Sequence, residues 1–167
     1  MAKTFSEAKA SVDDMYKSLT QIADDIVKKN TEKVDRIIKD VENNVEKLTN
    51  TDLRNYTLKL ATLAYSLGDL VEHADLKREC ANALMKETNA REFSLAAGTV
   101  DTKKSQALLN TNQEQAVSLL YDLIANLLKS KLVQTQRVID SLKNTLISRN
   151  AEAKLNAGIN NIGYDED

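Results

Sequence analysis

Apolar residues recur along most of this 167-residue chain at steps of three and four, the spacing of one helix face. In the first segment Val12, Met15, Leu19, Ile22 and Ile26 hold that step. The pattern slips phase at Lys28-Lys29-Asn30-Thr31 and resumes with Val34, Ile38, Val41, Val45 and Leu48. Such a slip is either a stutter within one helix or a turn between two. No glycine or proline lies there, so a near-continuous heptad helical arm over 1–49 is expected. Thr49-Asn50-Thr51-Asp52 marks the clearest boundary. Its side-chain oxygens can accept from the free amides of a new helix, and Thr49-x-x-Asp52 approximates a capping box. Beyond it Leu53, Tyr56, Leu60, Leu63, Leu67, Leu70 and Ala74 form an unbroken a/d seam, the pattern of coiled-coil pairing. The seam grows more polar through Lys77, Ala81, Leu84, Thr88, Arg91 and Leu95, and Gly98 supplies the stop.

Thr99 to Gln113 reads as a polar connector with a short helix at about 101–109. A last helix then spans about 112–157, with a stripe at Val117, Tyr121, Ile124, Leu128, Leu132, Thr135, Ile139, Leu142 and Leu146. The end, NAGINNIGYDED, holds two glycines and three terminal acids and is expected to be a disordered acidic tail over 158–167. The division is thus an arm (1–49), a helical hairpin core (50–157) with its connector helix inside 99–113, and the tail. Helices of roughly forty residues would each run about 60 Å, against a radius of gyration of about 15 Å for a compact domain of this length. The expectation is an all-α fold, an elongated helical hairpin or bundle with coiled-coil character. Its unburied edges invite self-association into a homo-oligomer, with Leu53, Tyr56, Leu60, Leu63, Leu67 and Leu70 as the oligomer seam.

Composition agrees with few long helices. Proline is absent where average usage would give about eight, and four glycines do little to interrupt a helix. Aromatics make up 4% of the chain, so Leu, Ile, Val and Ala must fill the interior. The 23 basic and 25 acidic residues nearly balance, so any polyanion would have to be held by a local patch. Cys80 is the one cysteine, which leaves no intramolecular disulfide and fits a reducing cytoplasm. The start, MAKTFSEAKA, lacks the apolar core of a signal peptide. The richest apolar window, Val117 to Leu128, is a dozen residues long and contains Asp122 and Asn126, too short and polar for a bilayer. No membrane role is expected.

Catalytic chemistry finds little to stand on. His73 is the single histidine, which rules out a pair of histidines. Asp69, His73 and Cys80 occupy neighbouring turns, yet no CxxC, HExxH or second Glu-x-x-His accompanies them, as a zinc or di-iron bundle site would need. Nothing marks a base for Cys80 as a nucleophile, and glycine-rich phosphate loops are absent. No catalytic residue, metal or cofactor is expected.

The last helix carries the most informative charge. From Leu123 to Arg149, Lys129, Lys131, Arg137, Lys143 and Arg149 stand against one acid, Asp140. On a wheel at about 100° per residue with Lys129 at zero, Lys129, Lys143 and Lys154 fall within about 40° of one another. Arg137 lies near 80°, and the apolar stripe centres near 250°. Such a row of cations can be a solvated face, or it can follow a phosphate backbone in a salt-dependent contact. Lys131 and Arg149, near 200°, border the apolar stripe, where cations want carboxylates from a partner helix or another subunit.

From Tyr65 on, the layout resembles the UvsY-type recombination mediators of bacteriophages. A leucine- and alanine-rich charged helix (YSLGDLVEHADLKRECANALMKETNAREFSLAAG) precedes a polar connector (TVDTKKSQALLN). A final helix passes from apolar to basic (EQAVSLLYDLIANLLKSKLVQTQRVIDSLKNTLISR). The likeness covers about ninety residues and rests on layout, with no diagnostic motif. It implies a non-enzymatic accessory protein of recombination or replication in the host-cell cytoplasm. Such a protein binds single-stranded DNA as a homo-oligomer and helps load a recombinase onto strands covered by single-strand-binding protein. Carried over by position, Lys129, Lys131, Arg137, Lys143, Arg149 and Lys154 would be the nucleic-acid contacts. The long arm from Val12 to Leu48 is additional to that layout, and aromatics for base stacking are scarce. The competing expectation is a structural or inhibitory protein–protein module, a virion component or an inhibitor of a host enzyme, acting through leftover apolar seams.

Overall fold

The computed structural model describes the backbone of residues 5–162 and the side chains of residues 10–157. The described residues form four α-helices and no strand: α1 (Phe5–Asn44), α2 (Asn50–Leu95), α3 (Val100–Asn110) and α4 (Asn112–Ile162). The all-α expectation holds. No helix is long and apolar enough to cross a membrane among the described residues.

The phase slip is not a turn, because α1 runs on through Asn30. It stops at Asn44, four residues short of Leu48, without a glycine. There the Asn44 carbonyl accepts from the amides of both Lys47 (2.8 Å) and Leu48 (3.2 Å). The next boundary follows its sequence signature closely. The Thr49 amide donates to the Asp52 carboxylate (3.0 Å), and the Asp52 amide donates to the Thr49 hydroxyl (3.2 Å). This is the reciprocal capping box, with aspartate in the place of glutamate. The same bonds hold the Asp52 carboxyl below its ordinary pKa, the Thr49 hydroxyl first and its amide second.

The stop after α2 is also where glycine predicts it, with Gly98 at a φ of 111°, a conformation that side-chain-bearing residues avoid. Thr99 then caps α3, its hydroxyl accepting from the Thr102 amide. Between α3 and α4 a single residue, Thr111, makes the joint. It is buried, and both its amide and its hydroxyl donate to the Leu108 carbonyl (3.3 and 2.9 Å). A buried threonine is tolerated there because its polar groups are satisfied. At the far end α4 continues past Ala157 to Ile162, since one glycine at 158 weakens a helix by only about 1 kcal/mol. The acidic end of the expected tail, residues 163–167, lies outside the described residues.

The described residues gather into two compact units. One comprises Met1–Thr31 and Leu67–Ser130, with Ala23, Val27, Leu67, Val71, Ala74, Ala81, Ala107, Ile124, Ala125 and Leu128 buried. The many alanines let helices approach closely. Here α2 and α4 run antiparallel: Asn82 accepts from Ser118, Glu114 from Thr88, and Asp122 from Arg78. The other unit comprises Glu32–Ser66 and Lys131–Asp167, with Val34, Ile38, Val41, Leu53, Leu60, Ile139 and Leu142 as its core. Within it α1 and α2 fold back on each other across residues 45–49, and the Tyr56 hydroxyl donates to Asp40. Here α4 lies parallel to α1, since Lys131 meets Asp35 and Arg149 meets Leu48.

Leu53, Leu60 and Leu67 of the expected oligomer seam are buried within the chain, at 0, 0 and 2% exposure. Each such leucine contributes about 1.5–3 kcal/mol to the chain's own fold. Tyr56, Leu63 and Leu70 are half-buried. A heptad seam reads the same whether its partner is another chain or a later helix of the same one. The leucines at one of its two heptad positions have no surface left for a second copy.

Candidate nucleic-acid interface

The six cations expected to contact nucleic acid all lie on α4, but their surroundings differ. Arg149 reaches the turn after α1 and donates to the carbonyls of Leu48, Val45 (3.1 Å) and Glu46 (3.5 Å). These carbonyls belong to residues 45–48, the turn that follows the last residue of α1, so the guanidinium ties the α1–α2 turn to α4 by satisfying acceptors that no helix ladder meets. Beside it the side-chain amide of Asn50 donates to Asn150 (3.4 Å). Lys131 donates to Asp35 of α1 (2.7 Å) and to Gln134 (2.9 Å), with its side chain 23% exposed. Both cations at the edge of the apolar stripe therefore find their partners inside the chain.

Lys129 is held as well. It pairs with Asp75 at 2.9 Å, Asp75 lies 3.2 Å from Arg78, and Arg78 binds Asp122 at 2.9 Å. This alternating chain of charges ties α2 to α4. It keeps the Asp75 carboxyl below its ordinary pKa, the Lys129 hydrogen bond acting more strongly than the Arg78 charge. It also raises the Arg78 guanidinium, chiefly through the bond to Asp122. Lys77 adds a cation–π contact 5.1 Å from the Tyr121 ring centre.

Arg137, Lys143 and Lys154 are exposed. Lys143 has a loose 3.9 Å approach to Asp140, and Arg137 and Lys154 form no ion pair among the described residues. Arg137 borders a shallow polar surface with Asp140, Ser141, Asn144, Ser148 and Glu152, whose two acids offset its charge. The structure thus leaves three of the six cations facing solvent and uses the other three to join helices. Their spacing on the wheel could be read from the sequence; the acids of α1 and α2 that meet them could not.

Sequence reasoning missed a groove in the unit that contains the α1–α2 turn. Ile37, Leu58, Thr62 and Leu63 line it, and Lys33, Arg36 and Lys59 surround it. Its volume is about 560 Å³, room for several side chains of a partner. Leu58 stands 70% exposed in it. Leu58 falls outside the a/d seam, and Lys33 and Arg36 precede the turn that brings them near Lys59, so no local pattern announces the site. Elsewhere His73 and Cys80 are exposed, and no three His, Cys, Asp or Glu side chains come together to hold a metal among the described residues. Comparison with the profiles of known families, with curated proteins and with solved structures returns no match.

Proposed function

We propose that this chain acts as a homo-oligomer with coiled-coil character that works by binding, and that its principal partner is a protein. The observation that carries the reading is the groove of Ile37, Leu58 and Leu63 with Lys33 and Lys59 around it, beside an Arg36 that pairs with Glu32. An apolar floor with a cationic rim suits an amphipathic helix whose polar flank is acidic. The role is that of a structural or inhibitory module in the cytoplasm. Leu58→Asp tests it: the exposed side chain can be changed without disturbing the core, and capture of the partner should fall with helix content unchanged. Undiminished capture would remove the groove from the interface.

A second reading keeps single-stranded DNA as the ligand, in the manner of the UvsY-type mediators that assist recombinase loading. Exposed Arg137, Lys143 and Lys154 favour it, since they remain available along α4. Mass measurement in solution with and without a short single-stranded oligonucleotide separates the two readings. A shift to a DNA-bound species at low salt supports the second, and an unchanged mass leaves the protein partner.

A further inference from the structure

The rim of the Ile37–Leu58–Leu63 groove has positive charge to spare. Arg36 is taken by Glu32 of the preceding turn. Lys33 is exposed and forms no ion pair among the described residues. Lys59 is exposed too, and its ammonium lies 5.7 Å from the centre of the Tyr56 ring, with no described carboxylate paired to it. An occupant of this groove therefore needs an apolar side chain for the floor and carboxylates for two lysines. The chain carries such a segment. After Lys154 come thirteen residues, LNAGINNIGYDED, with three acids and no base. Tyr164 stands directly before Asp165-Glu166-Asp167, a large ring followed by three carboxylates.

That segment cannot reach the groove of its own chain. Within their common unit, Lys131 of α4 lies against Asp35 of α1, and the groove residues Lys33 and Ile37 are within a turn of Asp35. The two helices are parallel there, and α4 runs on from Lys131 to Ile162, about 46 Å at about 1.5 Å per residue. Tyr164 follows two residues later and can recover at most about 7 Å of that distance. The groove of another copy is under no such restriction.

We propose that residues 164–167 of one copy occupy the groove of a second copy, with the Tyr164 ring on Ile37 and Leu58 and the carboxylates against Lys33 and Lys59. The proposal rests on the reading of the groove as a docking surface in a homo-oligomer, and it names the occupant. The ring supplies apolar burial, and the acids supply complementary charge that sets the orientation of the segment. Each copy has one groove and one such segment, so a reciprocal exchange uses both. Exchange of that kind closes at two copies about a two-fold axis, the commonest symmetry of soluble oligomers.

The test uses the full chain and measures mass by sedimentation across protein concentration. Tyr164→Ala should weaken association at least about tenfold, and so should Leu58→Asp on the other side of the same contact. Lys33→Glu with Lys59→Glu should weaken it too, as should Asp165→Lys with Glu166→Lys and Asp167→Lys. An equimolar mixture of those two charge variants should associate again, since the acidic groove of one meets the basic segment of the other and the remaining pair is unchanged. A chain that is monomeric at every concentration overturns both the exchange and the homo-oligomer reading. Association that is lost with Leu58→Asp but indifferent to Tyr164→Ala and to the acid reversal overturns the segment as occupant and leaves the groove a docking surface. Failure of the mixed charge variants to recover overturns the pairing of the acids with Lys33 and Lys59.

Discussion

Arg149 shows how one side chain can carry a cost and a benefit at once. Drawing a guanidinium to the edge of an apolar stripe loses hydration, and the contact is favourable only if its donors are met. Here carbonyls of the turn that follows α1 meet them. Arg149→Ala removes those charge-assisted bonds and leaves the carbonyls of Val45 and Leu48 without that donor, so unfolding in urea should show a loss of about 1–3 kcal/mol. Arg149→Lys should recover part of it, because an ammonium can satisfy one carbonyl but not the fork. Acid should act through two other residues. Asp52 and Asp75 have folded-state pKa values below their ordinary ones, through Thr49 and through Lys129 respectively. A carboxyl of that kind contributes stability that is complete above its unfolded pKa of about 4 and is lost as pH falls through the folded value. Stability should therefore be level from neutral pH down to about 4 and decline below it, and Asp75→Asn should flatten that decline. Tyr56 is the alkaline counterpart. Its hydroxyl donates to Asp40, which raises its pKa, so its contribution is complete below about pH 10 and is lost above that as the phenol ionises.

Helix ends divide into those with a chemical signature and those without one. The start of α2 was legible because Thr49 and Asp52 are three apart, and its end because Gly98 follows. The end of α1 was not legible: a tertiary contact from Arg149, a hundred residues later, helps satisfy the chain there. The same limit hid the groove, where Ile37 and Leu58 lie on opposite sides of a turn. It also left the partner of the leucine seam undecided, since periodicity marks a buried face and not what buries it. Two substitutions separate local from tertiary causes. Gly98→Ala meets Thr102 at ordinary contact distance but must adopt a φ of 111°, so backbone strain alone should lower stability by about 1 kcal/mol. Leu60→Ala opens a hole at a fully buried position and should cost about 2–5 kcal/mol. If thermal unfolding ranks the two the other way, the a/d seam is not the backbone of the core.

For the whole molecule, the open question is how many positive charges are left for a polyanion, and salt dependence can count them. For a single strand, the affinity exponent in salt is about 0.7 for each phosphate contacted by a cation. Six cations acting together on one chain would give an exponent near 4, and affinity would fall roughly three-hundredfold between 50 and 200 mM salt. Only Arg137, Lys143 and Lys154 are exposed and outside a close ion pair. Three contacts give an exponent near 2 and a fall of roughly twentyfold over the same range. If the chain binds an oligonucleotide, titrations with the monomer concentration held low should show the shallower slope. Arg137→Gln should reduce that slope further, whereas Lys131→Gln should leave it unchanged and lower stability through the lost Asp35 pair. A slope near 4 would mean that Lys129, Lys131 and Arg149 leave Asp75, Asp35 and the turn after α1 to reach phosphate. In that case binding would loosen the joints between helices, and amide exchange near Val45 and Leu48 should quicken when the oligonucleotide is added. With the shallow slope, those amides should exchange at the same rate in the free and bound protein.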